Sequence, residues 1–368
     1  MDLELTDEQR WLSESIETLL TRDWPAAEQA FAAGDAERER VWAALAEFGV
    51  LAVDRDEGLG AVELCLVARA LGAHLATVPF LGSAALRYAI EPFADELPAG
   101  FDALAASGDR VSVALLEPGG GWAVDRVRTA IGESGLRGEK VAVEHAEHVE
   151  QLAVVARADG DVGLAVVRAS SPGVQTVGQP ELDAGVPMSA VTFADVDVGP
   201  TAGRPVVDRL TAVGALLAAA EAVGAAARML EDARAYAAER RQFGRTIGSY
   251  QALRHLMADM YVRQASSWST VLYAAAALDD DLDEAAQTVA VAKAYVARAA
   301  REVAHGALQV FGGIAFTQEH PAHRFLRRVV VREQQFGDAP HHEREIGRRL
   351  AARARSSQPT APVPDPVS

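Results

Sequence analysis

Apolar residues recur at helical spacing through the N-terminal part of the chain. Thr6 and Gln9 have the spacing of a capping box at a helix start. Two further stretches, 42–51 and 62–71, continue the helical pattern. Everything up to about residue 108 is therefore predicted to be an α-helical domain. The apolar face of the first helix consists of Leu12, Ile16, Leu19 and Leu20.

The pattern changes at Val111, where short aliphatic and β-branched runs replace the helical stripe. Asp159-Gly160, between two of these runs, is a strong signal for a tight hairpin. Glycine and proline interrupt the rest of the segment, which predicts a small β domain over residues 109–205. The runs that we predict to be strands are 111–116, 152–156, 162–167 and 191–196.

Long helical stripes return after the β domain. One stripe alternates spacings of four and three residues, which is typical of a core-facing helix. A later helix is predicted to end at Gly312-Gly313, since glycine suits a C-terminal cap. We therefore predict a helical bundle over residues 206–353 and a disordered tail over 354–368, which has no periodicity. The first stripe consists of Leu216, Ala220, Val223, Ala227 and Leu230.

Composition narrows the classes of function. The formal net charge of −17 argues against a nucleic-acid binder, which needs a basic surface, and against docking on anionic membranes. Cys65 is the single cysteine, so an intramolecular disulfide is excluded. The opening segment Met1-Asp2-Leu3-Glu4 is acidic where a signal peptide is basic. We therefore expect a soluble cytoplasmic protein.

The segment Arg240-Arg241-Gln242-Phe243-Gly244 closes the first long helix of the bundle. A guanidinium at a helix end suits a pyrophosphate, because its planar fork can hold two phosphate oxygens. Phe243 offers an aromatic surface to a ring system, and Gly244 permits a close backbone approach. A solvated arginine pair before a glycine cap would have the same sequence, so the segment by itself is only a hypothesis.

Three segments taken together, with their spacing, resemble the C-terminal domain of the acyl-CoA dehydrogenase family. They are residues 240–251, 255–260 and 309–321. The resemblance is strong over residues 206–350, weaker through the N-terminal helices and thin in the middle domain. It implies a mainly α fold with a central β domain: an N-terminal helical domain, a small β-barrel-like domain and a C-terminal four-helix bundle.

The resemblance also implies a cofactor, FAD, bound at a subunit interface of a dimer or a dimer of dimers. By position, Arg240 and Gln242 would meet the FAD pyrophosphate, and Phe243 would pack near the flavin of the neighbouring subunit. The family reaction is α,β-dehydrogenation of an acyl-CoA thioester, in which a carboxylate of raised pKa removes the α-proton. The residues that would approach the adenosine half of the cofactor are Gln309, Gly312 and Gly313.

The sequence departs from the family at this catalytic base. The usual position lies in a Tyr-Glu-Gly-Thr-like turn, and its counterpart here is Phe336, which has no proton-accepting atom. The family's second position, on the long helix before the arginine pair, falls on Gly214. Asp338 could be a relocated base, but capping the next helix is the simpler role for it. We expect Glu333 to be a solvated helix charge.

The middle domain departs from the family as well. Leu116 stands where the family has a threonine that hydrogen-bonds the flavin. Gly138-Glu139-Lys140 matches a glycine-x-lysine that precedes a flavin-stacking tryptophan and a serine or threonine, but Val141-Ala142-Val143-Glu144 supplies neither. The contacts to this chain's own flavin face therefore look lost, while those offered across the interface are retained.

Two clusters of polar residues could suggest a further ligand. His341 and His342 are adjacent on a predicted helix, where their side chains point about 100° apart, so they cannot chelate one ion. We predict no metal site. An arginine cluster could meet a CoA phosphate, although a solvated basic helix face is the commoner explanation. The cluster consists of Arg324, Arg327, Arg328 and Arg332.

Three interpretations fit these residues. The one we adopt is a base-lacking partner in a heteromeric acyl-CoA dehydrogenase, similar to degenerate subunits of actinobacterial enzymes of steroid side-chain catabolism. The others are a self-sufficient dehydrogenase with a relocated base, and an acyl-CoA dehydrogenase-like oxidase or monooxygenase. A relocated base should leave the chain's own flavin-face residues intact, and Leu116 argues against that. The expected partners are an acyl-CoA substrate, a sister dehydrogenase subunit or a second copy of the chain, and an electron acceptor flavoprotein.

Overall fold

The N-terminal part of the chain is helical. The computed structural model describes residues 4–27, 29–30, 33–55, 57–98, 101, 104 and 108–356. The predicted capping box begins the first helix: the amide of Gln9 donates to Oγ1 of Thr6 (3.2 Å), and the amide of Thr6 donates to Oε1 of Gln9 (3.0 Å). The helices of this region are α1 (Asp7–Asp23), α2 (Asp35–Glu47), α3 (Ala61–Ala73) and α4 (Phe80–Ile90).

A seven-stranded mixed sheet follows. Its strands lie in the order β1-β4-β2-β3-β7-β6, with β5 paired to β4. Asp159-Gly160 forms the predicted hairpin turn, because Ala158 of β4 pairs with Asp161 of β5. Three of the predicted runs lie wholly within strands, and the run predicted over 111–116 is a strand only over Val111–Ala114. The strands are β1 (Val111–Ala114), β2 (Ala130–Gly132), β3 (Gly135–Glu144), β4 (Gln151–Ala158), β5 (Asp161–Arg168), β6 (Val174–Gly178) and β7 (Met188–Val196).

The C-terminal part is built around one long helix, α5. This helix is long and apolar enough to cross a membrane by length and composition, but 83% of its most apolar window is buried inside the protein, which is typical of a core helix. Gly224 lets α3 approach closely, since a Cβ there would lie 1.8 Å from the carbonyl oxygen of Arg69. The helices are α5 (Arg204–Glu239), α6 (Gln251–Asp279), α7 (Ala285–Phe311), α8 (Ala322–Gln334) and α9 (Ala339–Ser356).

The ends of these helices agree with the glycine signals in the sequence. Helix α7 ends at Phe311, and Gly312 follows with a φ of 67°. A two-residue hairpin, β8 (Arg241–Gln242) and β9 (Arg245–Thr246), follows α5. Helix α9 extends into the predicted tail as far as Ser356, and the remainder of that tail, 357–368, lies outside the described residues.

Candidate functional site

The two segments predicted to bind the cofactor, 240–244 and 309–313, lie at the same end of the helical bundle. Tyr236, one turn before the end of α5, makes an edge contact with Phe311 at the end of α7, with ring centroids 5.6 Å apart. The helix ends that carry the two segments are therefore in contact, although about 75 positions separate Tyr236 and Phe311 in the sequence. The fold thus brings together two predicted cofactor segments.

The β8–β9 hairpin presents Phe243 to solvent. Phe243 and Gly244 have φ values of 52° and 83°, the pair of positive angles that a type I′ turn requires. The phenyl ring is 93% exposed. The hydroxyl of Tyr250 donates to the carbonyl of Gln242 (3.2 Å), and Arg245 stacks over the Tyr250 ring (4.0 Å). Tyr250 therefore stabilises the base of the hairpin, and Phe243 at its tip remains exposed.

The second segment is equally open. Gln309 is exposed at the end of α7. A Cβ placed on Gly312 or on Gly313 would meet no atom within 4 Å. These residues, like Arg240 and Gln242, are accessible to a group from outside this chain.

The turn between α8 and α9 carries Phe336, and its ring is packed inside the protein. The ring stacks on Trp122 with a centroid distance of 6.0 Å and an interplanar angle of 27°. A Cβ on Gly214 of α5 would lie 2.6 Å from Cε1 of Phe336. The two residues that we expected at the family's base positions are therefore packed together, with the ring of Phe336 filling the space that Gly214 leaves.

A small pocket lies on the other side of this stack, between α4, β1, the end of β3 and the Phe336 turn. Its volume of about 30 Å³ holds only two or three water molecules. Leu116, which we expected at a flavin-contacting position of the family, lines this pocket, as does Ala142 of the 141–144 segment. The polar side chains in the lining are Ser112, Glu144, His145 and Gln335.

Glu144 is the carboxylate of this pocket, and it is paired. Both of its oxygens accept from the guanidinium of Arg332 at 2.8 Å, and Nε2 of Gln335 donates to it at 2.8 Å. Burial raises the pKa of Glu144, but the charge and hydrogen bonds of Arg332 more than reverse this, so that the pKa lies at about 2. Such a carboxylate is a weak proton acceptor and is poorly suited to remove an α-proton.

The ion pair between Glu144 and Arg332 is part of a chain of ion pairs inside the protein. Arg332 also contacts Glu221 of α5 (2.8 Å), Glu221 contacts Arg328 (2.9 Å), and Arg328 contacts Asp183 (2.6 Å). The expectation of a solvated basic face is wrong for Arg328 and Arg332, since both are buried. Sequence reasoning missed this network. Their spacing of four residues puts both arginines on one face of α8, but nothing local indicates carboxylates from three other segments.

Asp338 caps α9 instead of facing the pocket. Its Oδ1 accepts from the amide of His341 (2.9 Å), as a capping residue does. Asp338 does not line the pocket beside Phe336. Glu333 is 5% exposed, so the expectation of a solvated charge was wrong, and burial raises its pKa.

Two buried titratable groups, Lys293 and His342, contact backbone carbonyls in and just before the turn that carries Phe336. Lys293 of α7 donates to the carbonyl of Arg332, and burial together with the charge of Arg332 lowers the pKa of Lys293 to about 7. Nε2 of His342 lies 3.0 Å from the carbonyl oxygen of Phe336. Among the described residues, no group of three or more His, Cys, Asp or Glu side chains could hold a metal ion.

The fold consists of two helical regions on either side of a sheet, and an exposed hairpin with predicted cofactor-binding residues lies at one end of the C-terminal helical bundle. The family model for the acyl-CoA dehydrogenase C-terminal domain matches residues 201–351. The acyl-CoA dehydrogenase FadE27 of Mycobacterium tuberculosis is 30% identical over 337 residues, covering 84% of this chain and 88% of that protein. The chain therefore belongs to the acyl-CoA dehydrogenase family.

Solved structures agree with this assignment. The chain is similar to one in the ChsE4–ChsE5 complex from Mycobacterium tuberculosis, with a TM-score of 0.84 and 27% identity over 95% of this chain and 99% of that one. It is similar to a variant of the Tcur3481–Tcur3483 steroid ACAD, with a TM-score of 0.85 and 25% identity over 95% and 99% of the two chains. The predicted fold class is confirmed, and FAD is the cofactor that this family uses.

Proposed function

We propose that this chain is the base-lacking subunit of a heteromeric acyl-CoA dehydrogenase. It completes a cofactor site on a sister chain, which supplies the carboxylate and the contacts to the flavin ring. The single observation that carries this proposal is the contrast between the two halves of the site. Phe243 projects 93% exposed from its hairpin, while Phe336 and Trp122 stack over a pocket of about 30 Å³.

The residues of this chain would act by holding the cofactor. Arg240 and Gln242 would bind the pyrophosphate, with Phe243 against the flavin of the sister chain. Gln309, Gly312 and Gly313 would contact the adenosine half. The chemistry that FAD supplies when bound is acceptance of a hydride from the β-carbon of the thioester.

Similarity to a protein described as a steroid ACAD supports a steroid-derived acyl-CoA as the substrate of the complex. The ChsE4–ChsE5 relative is itself a complex of two named chains, which supports a sister subunit for this one. We further propose that the complex works in the cytoplasm and passes its electrons to an acceptor flavoprotein.

The self-sufficient dehydrogenase remains the second candidate, and Glu144 is the observation that favours it. This carboxylate, and not Asp338, lines the pocket beside Phe336. Its ion pair with Arg332 would have to open before it could accept a proton, which is why we rank this function second.

The test is to express the chain alone and together with a candidate sister acyl-CoA dehydrogenase subunit, and to measure bound flavin by absorbance. We expect a colourless chain alone and one FAD per pair of chains in the complex. In the complex, Arg240→Ala should release FAD, whereas Arg234→Ala, on the surface of α5, should not. One FAD per chain in the isolated protein, with dehydrogenation, would establish the second candidate, and peroxide release would establish the oxidase.

A further inference from the structure

Two cavities of this chain share a wall that Trp122 and Phe336 form. The inner cavity is the pocket of about 30 Å³ that Glu144 lines. The outer cavity has a volume of about 200 Å³ and lies between the N-terminal ends of α5 and α7 and helix α9. Trp122, Phe336 and Leu115 line both cavities. The stack of Trp122 on Phe336, with ring centroids 6.0 Å apart, therefore lies between the two spaces.

The inner cavity is mostly apolar. Leu81, Val113 and Leu116 belong to its lining. Its carboxylate, Glu144, is neutralised by the ion pair with Arg332 (2.8 Å). A ligand group that enters this space therefore has to be small and largely apolar.

The outer cavity is polar, but its charges balance. Three arginines and three acids line it, and Arg204 contacts Asp125 (2.7 Å) and Asp208 (2.9 Å). Burial lowers the pKa of His341 and of His342, so both rings are neutral near pH 7. Such a lining suits a polar, uncharged arm such as a chain of amides. The charged residues are Arg204, Arg348, Arg349, Asp125, Asp208 and Glu345.

Trp122 lies on a glycine-rich segment, residues 118–124, which we call the strap. Glu117 fixes the start of the strap, because this buried carboxylate accepts from the amides of Arg128 (2.9 Å) and Thr129 (2.8 Å). Asp125 fixes the end of the strap through its ion pair with Arg204. The strap is therefore anchored at both ends, next to the wall between the cavities.

The middle of the strap is held only loosely. In the part of the chain that the structure describes, the one hydrogen bond of residues 119–122 joins the amide of Gly120 to the carbonyl of Glu117 (2.9 Å), which is local. A Cβ on Gly119 or on Gly121 would meet no atom within 4 Å. The indole is therefore held by packing, chiefly on Phe336, and a loop of this kind can move without the loss of long-range hydrogen bonds.

We propose that Trp122 is a gate in this chain's own acyl-thioester site. With the indole on Phe336, the site is divided and closed. With the strap turned outward, the two cavities join, and the joined space takes the acyl end of a CoA thioester in its inner part and the amide-containing pantetheine arm in its outer part. The closed gate keeps a chain without a base from competing with the sister chain for substrate. This inference rests on the proposed function, which supplies the ligand class.

The probe is octanoyl-CoA, and its binding to the full chain is measured by isothermal titration calorimetry. A site that is mostly closed binds with an affinity reduced by the fraction of open molecules. Trp122→Ala should therefore bind about tenfold more tightly than the parent, with one thioester per chain. Trp122→Phe keeps an aromatic ring on Phe336 and should bind as the parent does. Trp11→Ala is the control, because Trp11 is 63% exposed on α1 and lines neither cavity.

Asp125→Asn tests the strap without enlarging the wall between the cavities. It weakens the anchor on Arg204, and we expect octanoyl-CoA to bind about threefold more tightly. Asp208→Asn is the matched control, since it removes an acid from the same arginine and the same cavity but lies on α5. Its effect should be smaller. Should Trp122→Ala fail to fold, this pair of variants still tests the gate.

Equal affinity of the parent and Trp122→Ala, equal effects of Asp125→Asn and Asp208→Asn, or absence of binding by every variant at about 1 mM octanoyl-CoA would overturn the gate. The flavin content of the parent protein is the separate measure of the proposed function. One FAD per isolated parent chain would overturn that function, whereas a failed gate with one FAD per pair of chains would leave it intact.

Discussion

Gly214 and Phe336, the two residues that the sequence resemblance aligns with the family's base positions, are in direct contact. The ring of Phe336 fills the space beside Gly214 so closely that a Cβ there would lie 2.6 to 2.8 Å from three ring carbons. Any side chain at position 214 therefore requires the ring of Phe336 to move. The glycine and the aromatic ring are therefore matched in the packing of α5 against the turn between α8 and α9.

This contact predicts a cost for a single methyl group. Gly214→Ala should destabilise the chain by about 1–3 kcal/mol, because the buried ring must move or leave its preferred rotamer. The same substitution in a Phe336→Leu background should cost much less, since the clashing ring atoms are gone. Urea denaturation of the four proteins in this double-mutant cycle measures the coupling. Additive costs would show that the ring and the glycine do not interact.

Disruption of the buried ion pairs around Arg332 should destabilise the chain more than Gly214→Ala does. Arg332→Met leaves Glu144 buried without its arginine and leaves Glu221 with Arg328 alone, so we expect a loss of about 3–5 kcal/mol in the free energy of unfolding. Arg327→Met, an exposed neighbour on the same helix, is the control and should change stability by less than about 0.5 kcal/mol. The measurement is chemical denaturation followed by circular dichroism. A small effect at Arg332 would mean that water reaches the two carboxylates.

Lys293 predicts a pH dependence. Its pKa is about 7 in the folded chain and about 10.4 in the unfolded chain. Between these values the unfolded chain binds more protons, so the unfavourable contribution of Lys293 is greatest below pH 7 and fades as the pH rises towards 10. Lys293→Met should therefore be most stabilising, relative to the parent, below pH 7.

The advantage of Lys293→Met over the parent should shrink between about pH 7 and pH 10. Thermal denaturation across that range checks it. Arg298→Met, on the same helix, is the control and should show a difference that does not vary with pH, because arginine does not titrate there. A constant difference for Lys293→Met would show that the amine stays charged in both states.

A substitution at Phe243 should affect stability and cofactor binding in opposite directions. Its φ of 52° is unfavourable for a bulky residue, and asparagine tolerates such an angle. Phe243→Asn should therefore leave the chain as stable or raise its free energy of unfolding by about 0.5–1 kcal/mol. In the complex with the sister subunit, the same variant should retain less FAD. Lower stability, or unchanged flavin content, would remove the case for a functional ring at the hairpin tip.

Local signals in the sequence predicted much of the fold. The capping box at Thr6, the hairpin at Asp159-Gly160 and the helix end at Gly312 all appear where expected, because each depends on a few neighbouring residues. The identity of Phe336 and Gly214 was also visible in the sequence. The solvated roles expected for Glu333 and for Arg328 were wrong, because an isolated helix pattern does not show what covers each face.

The sequence by itself determined the order of helices and strands and the family, since these follow from local spacing and residue type, and it predicted that the usual base positions fall on Phe336 and Gly214. Only the tertiary structure decided that Phe336 packs on Gly214 and Trp122, and that Glu144 pairs with Arg332. Glu144 and Arg332 are 188 positions apart, and their ion pair is possible only because the sheet, α5 and α8 converge in one core. Whether a buried charge is a base or a structural partner depends on what packs around it, and that is a property of the folded chain.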